Sequence, residues 1–76
     1  MTRRYTIILD EDSEEGGYTV TIPALPGCIT QGDTVEQCIE RAREAISGYI
    51  ENLRIEGEQV PEEHECLQII AIDVEV

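Results

Sequence analysis

The fold is decided by residues 18–53, which read YTVTIPALPGCITQGDTVEQCIERAREAISGYIENL. The second half of this stretch carries apolar residues at helical spacing, which predicts one long amphipathic helix with a single apolar stripe. Asp33 and Thr34 can cap the helix start, Gln37 stands where a capping box places Glu or Gln, and Gly57 predicts the end. The stripe consists of Val35, Cys38, Ile39, Ala42, Ile46, Tyr49, Ile50 and Leu53.

The first half of the stretch alternates apolar and threonine side chains until Pro23, which is the pattern of a half-buried strand. Pro23 and Pro26 have no amide to donate to a ladder, and Gly27 can adopt backbone angles that other residues avoid. These residues predict a fixed corner over 24–27. A short strand over residues 28–31 then leads into the helix.

Two further strands are predicted outside this stretch. Residues 3–9 alternate apolar and polar side chains, and an acidic loop over 10–17 joins them to the next strand as a hairpin. Residues 67–76 are rich in Ile and Val and predict a last strand. The predicted class is therefore α+β with the order β-β-β-α-β. A right-handed crossover through the helix would place strand four beside strand one, giving a four-stranded mixed sheet in the order 3-2-1-4 with one helix on it.

The length of 76 residues predicts one small domain over 1–76, with no separate DNA-binding domain. The sequence has no Trp and no Phe, so the core must be aliphatic. One helix covers one face of such a sheet, whereas the last strand is apolar on both sides. We therefore expect a homodimer or a higher homo-oligomer, because self-association would stabilise a core of this size.

Seventeen acidic residues against five basic ones give a formal net charge of −12. This balance disfavours direct binding of nucleic acid, whose affinity comes largely from neutralised phosphates, and it favours a basic protein partner. Solubility alone is the other explanation of the charge. No segment has the length of a membrane span or a signal peptide, and the odd number of three cysteines fits reduced thiols, so we expect a cytoplasmic protein.

Residues 16–34 match the pattern G-G-Y-x-V-x-x-P-x-L-P-G-C-x-x-x-G-D-T, followed by an acidic helix and a closing strand. The sequence thereby resembles the HicB-like antitoxin family of type II toxin-antitoxin systems over nearly its whole length. The resemblance implies a partly degenerate ribonuclease H-like fold. It also implies a non-enzymatic role, in which the chain binds and inhibits a HicA-type mRNA interferase, a small basic ribonuclease.

The sequence departs from the family pattern in two places. Many members continue into a C-terminal DNA-binding domain, whereas this sequence ends at Val76, so operator binding is not expected of it alone. Ala24 occupies a corner position where many members have Asp, so a partner contact made by an acid at that position is not expected either.

The expected mechanism is steric and electrostatic, with an acidic surface covering the RNA-binding face of the toxin. The alternative for each acid is a solvated turn or a solvated helix face. The candidate partner-binding residues are Asp10, Glu11, Asp12, Glu14, Glu15, Glu40, Glu44 and Glu51.

A metal-dependent, ribonuclease H-like nuclease is the enzymatic alternative, with Asp10 and Asp73 as strand carboxylates. Helical geometry argues against it, because among the helix acids only Glu36 lies near the edge of the apolar stripe. A third alternative is an orphan dimerisation or scaffold module without a toxin.

Cys28, Cys38, Cys66 and His64 have the residue types of a Cys₃His zinc site, but they lack the closely spaced ligand pairs of such sites. Buried apolar thiols are the favoured interpretation. We therefore expect no metal and no cofactor.

Overall fold

A computed structural model of the chain describes residues 2–63 and 70–76. Its elements are β1 (Ile8–Glu11), β2 (Tyr18–Thr21), β3 (Ile29–Gly32) and α1 (Val35–Ile55). The strands form an antiparallel sheet in the order β1-β2-β3. The helix packs mainly against β3 and less against β2. The α+β class is confirmed.

The prediction of a four-stranded mixed sheet in the order 3-2-1-4 is wrong. The described sheet has three strands, all antiparallel. Residues 70–76, which belong to the predicted fourth strand, form no strand and are all exposed, while residues 67–69 lie outside the described residues. Alternating apolar residues show that a segment suits a ladder, but a ladder also needs a partner edge. The described β1 offers only the four residues Ile8–Glu11.

The ribonuclease H-like sheet implied by the resemblance included that fourth strand. Among residues 2–63 and 70–76 the structure shows only the meander and its helix. The strand neighbours within the meander are the ones that the sequence predicted.

The first strand starts later than predicted, at Ile8 instead of residue 3. In the observed register Ile8 lies opposite Thr21, so continuing the ladder would bring Thr6 opposite Pro23. Proline has no N–H to donate, and the ladder stops before it. At its other end β1 continues into the acidic stretch as far as Glu11, so the hairpin loop occupies only residues 12–17.

The core lies between the helix and the sheet. It is aliphatic, as predicted, with partly buried tyrosines packed around it. The helical stripe is buried mainly at Cys38 and Ala42, whereas Val35 and Ile39 remain exposed because the helix covers only three strands. The buried residues are Val20, Ile22, Leu25, Cys28, Cys38 and Ala42.

The corner after β2 is held by backbone hydrogen bonds, as its Pro and Gly residues predicted. The N–H of Ile22 donates to the carbonyl of Cys28 at 3.2 Å, and the N–H of Leu25 donates back to Ile22 at 3.0 Å. Gly27 has a φ of +78°, where a side chain would be strained. The hydroxyl of Tyr49 donates to the carbonyl of Pro26 at 2.8 Å and ties the corner to the helix.

Both predicted helix ends are confirmed. Oγ1 of Thr34 accepts a hydrogen bond from the N–H of Gln37 at 3.1 Å. Oε1 of Gln37 in turn accepts from the N–H of Asp33 at 2.6 Å, one residue earlier than in a standard capping box. At the other end Gly57 has a φ of +73°. The N–H of Glu58 then donates to the carbonyl of Leu53 at 2.8 Å, as in a Schellman motif.

We expect Thr34→Ala to lower the free energy of unfolding by about 1 kcal/mol, because the cap bond to Gln37 is lost and a helical N–H is left without its acceptor. Thr34→Ser is the matched control and should stay close to wild type, since it keeps the hydroxyl. Urea unfolding followed by far-UV circular dichroism measures both. Equal stability of the alanine and serine variants would show that the cap contributes nothing.

Candidate partner-binding surface

Five of the eight candidate acids lie close together in the hairpin. Asp10 and Glu11 form the end of β1, and Asp12, Glu14 and Glu15 lie in the turn that follows. All five are exposed. The structure therefore places a dense negative charge at one tip of the molecule.

Asp12 stabilises this acidic tip through hydrogen bonds to the backbone of the loop. Its Oδ1 accepts hydrogen bonds from the N–H of Glu14 at 3.0 Å and from the N–H of Glu15 at 3.1 Å. The N–H of Gly16 donates to the carbonyl of Asp12 at 2.9 Å, and the N–H of Asp12 donates to the carbonyl of Gly17 at the same distance. Asp12 thus shapes the loop from within, and the neighbouring carboxylates face outward.

The three helix candidates form a second group. Glu40, Glu44 and Glu51 are exposed. At 100° per residue they lie within about 40° of one another around the helix axis and about 120° to 180° from the buried Cys38 and Ala42. The structure thus brings them together on the outer face of α1, on a different element from the hairpin acids.

Within the described residues none of these eight acids forms an ion pair with an arginine. The ion pair found there joins Nη1 of Arg3 to Oε1 of Glu62 at 3.9 Å. Neither partner belongs to the candidate set. The negative charge of the hairpin and of the outer helix face is therefore open to a partner.

The sequence analysis missed a groove between residues 2–7 and the helix, with a volume of about 760 Å³. Three of the five arginines line it, so positive charge collects there, away from the acidic tip. The sequence features that could have indicated this groove are the Arg3–Arg4 pair and Arg43, which lies among the apolar residues of the helix. The groove is lined by Thr2, Arg3, Arg4, Tyr5, Ile7, Ile39, Ala42, Arg43, Ile46 and Ser47.

Comparison with known proteins identifies the family. Residues 5–74 match the family model described as HicB-like antitoxin of bacterial toxin-antitoxin system. The chain belongs to the HicB-like antitoxin family. This match includes β1, the hairpin, the corner and the whole of α1, so both groups of acids lie inside the family domain.

Several relatives agree with this membership. The HicB-like chain is 44% identical over 61 residues to a UPF0150 protein of Thermoplasma acidophilum, covering 80% of this chain and 87% of the relative. It is 41% identical over 68 residues to a UPF0150 protein of Synechocystis, covering 90% and 85%. It is 41% identical over 58 residues to Antitoxin HicB 1 of Photorhabdus laumondii, covering 76% of this chain but only 37% of that protein.

The nuclease alternative gains no support from the described HicB-like structure. No group of three or more His, Cys, Asp or Glu residues that could hold a metal ion occurs in residues 2–63 and 70–76. Asp10 and Asp73 are both exposed, and Glu36 is exposed in the first helical turn, so it does not turn inward. The described carboxylates are therefore not arranged as a metal site.

Two cysteines are buried and free, as predicted for apolar thiols. Cys28 follows the corner and Cys38 lies on the buried side of α1. Burial raises the pKa of the Cys28 thiol, which keeps it protonated and unreactive at neutral pH. The other two residues of the zinc inventory, His64 and Cys66, lie outside the described residues.

Within the described part of the chain, α1 does not have the apolar length that a membrane-spanning helix requires.

Proposed function

We propose that this HicB-like chain is an antitoxin that binds a HicA-type mRNA interferase and inhibits it by covering its basic RNA-binding surface. In this proposal the chain is a single domain that acts in the cytoplasm as a homodimer or higher homo-oligomer. It has no catalytic residue and binds no nucleic acid directly. The observation that carries the proposal is the ordered, exposed acidic hairpin of a domain from an antitoxin family.

Electrostatics supports the choice of partner. A ribonuclease needs positive charge where it holds RNA phosphates, and a protein with a net charge of −12 is attracted to such a surface. Five carboxylates within residues 10–15 concentrate this charge on one protruding element. Complementary charge speeds encounter and disfavours acidic competitors.

Order in the hairpin supports the masking mechanism. The bonds from Asp12 to the backbone of Glu14 and Glu15 hold the turn in one shape before binding. A loop that is already ordered loses less conformational entropy when it docks. The helix acids Glu40, Glu44 and Glu51 would extend the contact or serve solubility, and the two roles are separable by mutation.

The test measures RNA cleavage by the purified cognate basic ribonuclease at rising concentrations of this chain. It is run at about 50 mM and about 200 mM salt, because the higher salt concentration weakens charge contacts to the partner. Inhibition should be strong at low salt and weaker at high salt. Glu11→Gln, Glu14→Gln and Glu15→Gln together should weaken it at least tenfold. The same change at Glu40, Glu44 and Glu51 should weaken it less if those acids serve solubility.

The matched control neutralises three exposed acids elsewhere, Glu36→Gln, Glu56→Gln and Glu58→Gln, and so has the same net charge as the hairpin variant. It should change inhibition less than threefold. Equal cleavage with and without the wild-type chain at low salt would contradict the inhibitor role. Equal losses in the hairpin and control variants would contradict masking by the hairpin.

A further inference from the structure

We propose that the C-terminal tail of one chain, residues 70–76, binds in the arginine-lined groove of a second copy, and that the exchange is reciprocal. The groove is the space between residues 2–7 and α1 described above. This proposal names the surface through which the chain self-associates. It deepens the self-association proposed above, and its test uses this chain alone, so its failure is distinguishable from a failure of toxin inhibition.

The groove can accept an apolar strand. Its floor includes Ile7, Ile39 and Ile46, and Ile39 remains exposed. An exposed apolar floor of this kind can bury the apolar side of an extended segment through side-chain contacts alone.

The tail has the complementary pattern. Ile70, Ile72, Val74 and Val76 alternate with Ala71, Asp73 and Glu75, so an extended tail would be apolar on one side and acidic on the other. The three apolar residues before the terminus are highly exposed, at 73%, 77% and 67% for Ile70, Ile72 and Val74. Exposed apolar residues at this spacing indicate a surface that binds another element.

Charge selects the groove as the site for this tail. Arg3, Arg4 and Arg43 line the groove in a chain that has only five basic residues. The tail carries two carboxylates within its apolar pattern, at Asp73 and Glu75. The rest of the acidic surface would repel such a tail, whereas the groove attracts it.

The exposure of the tail favours a second copy as its source. Residues 70–76 are all exposed, so the tail buries none of its apolar side chains against its own domain. Near the groove the chain is held in place, because the hydroxyl of Tyr5 donates to the carbonyl of Pro61 at 2.7 Å and the N–H of Thr6 donates to Oε1 of Glu63. A twofold axis beside these contacts would let both tails cross between the two copies.

Two variants of opposite charge, one in the groove and one in the tail, test the proposal. Their masses are measured by light scattering after size exclusion at about 20 μM, a concentration at which a dimer of micromolar affinity is populated. The wild type should have twice the 8.5 kDa mass of one chain. The groove variant Arg4→Glu/Arg43→Glu should repel its own acidic tail and return a single-chain mass. The tail variant Asp73→Arg/Glu75→Arg should do the same, because its tail meets its own arginines.

Mixing the two variants should restore the double mass, since each groove then meets a tail of opposite charge. All four substituted residues are exposed, so circular dichroism of each variant should match the wild type. A monomeric wild type would overturn the proposal. Variants that remain dimeric when alone, through another surface such as the helix-free face of the sheet, would also overturn it, as would a mixture that stays monomeric.

Discussion

Ile22→Ala is expected to lower the free energy of unfolding by about 2 to 5 kcal/mol, the cost of removing a fully buried Ile side chain. Ile22 is 1% exposed and lies in the core between the sheet and the corner. A domain of this size has a free energy of unfolding of roughly 5 kcal/mol, so the variant should be largely unfolded or close to it. Urea titration followed by far-UV circular dichroism measures the change.

Ile29→Ala is the matched control, because it makes the same chemical change on the other side of the corner. Ile29 is 62% exposed and lies on the helix-free face of the sheet. We expect this variant to lose less than about 1 kcal/mol, since it removes little buried surface. Similar losses in the two variants would mean that the core is not centred on Ile22.

Gly32→Ala is expected to destabilise the domain by about 1 to 3 kcal/mol through overpacking. A Cβ on Gly32 would lie 2.9 Å from Sγ of Cys38 and 3.0 Å from its backbone nitrogen. Gly32 does not have a positive φ, so the cost comes from lack of space and not from backbone strain. Thermal unfolding followed by circular dichroism should show a clearly lower midpoint.

Gly48→Ala should have the opposite effect. Nothing lies within 4 Å of a Cβ at Gly48, which is exposed inside α1. Alanine there should stabilise the helix by about 1 kcal/mol. A Gly32→Ala variant as stable as wild type would contradict the close contact between β3 and the helix, and a destabilised Gly48→Ala would point to a packing partner at that face.

The parts of the fold that local residues specify were predictable. Pro23, Gly27, Thr34 and Gly57 act within a few residues of their own positions, so the corner and both helix ends follow from the sequence. The exposure of the helix acids also follows, because the helical period places them opposite the apolar stripe. The role of Asp12 in shaping the hairpin was also predictable. An Asp before a turn that contains Gly often accepts a hydrogen bond from the backbone N–H two residues later.

Pairing between distant segments was not predictable in the same way. Residues 67–76 carry a strand pattern, but pattern does not tell whether a partner edge of sufficient length exists. The ladder of β1 stops where Pro23 would face it, and that depends on the register between two strands. The groove was missed for a related reason: residues 2–7 and α1 are far apart in sequence and meet only in the folded chain.

The tight fit of Cys38 against Gly32 has a consequence for the redox chemistry of the domain. Oxidation of a thiol to a sulfenic acid adds an oxygen atom to the sulfur. At Cys38 that atom has no free volume on the side of β3, where even a methyl carbon would come within 2.9 Å of the sulfur. Cys38 is also 0% exposed, so peroxide reaches this sulfur when the core opens locally, and the rate of Cys38 oxidation would report how often such an opening occurs.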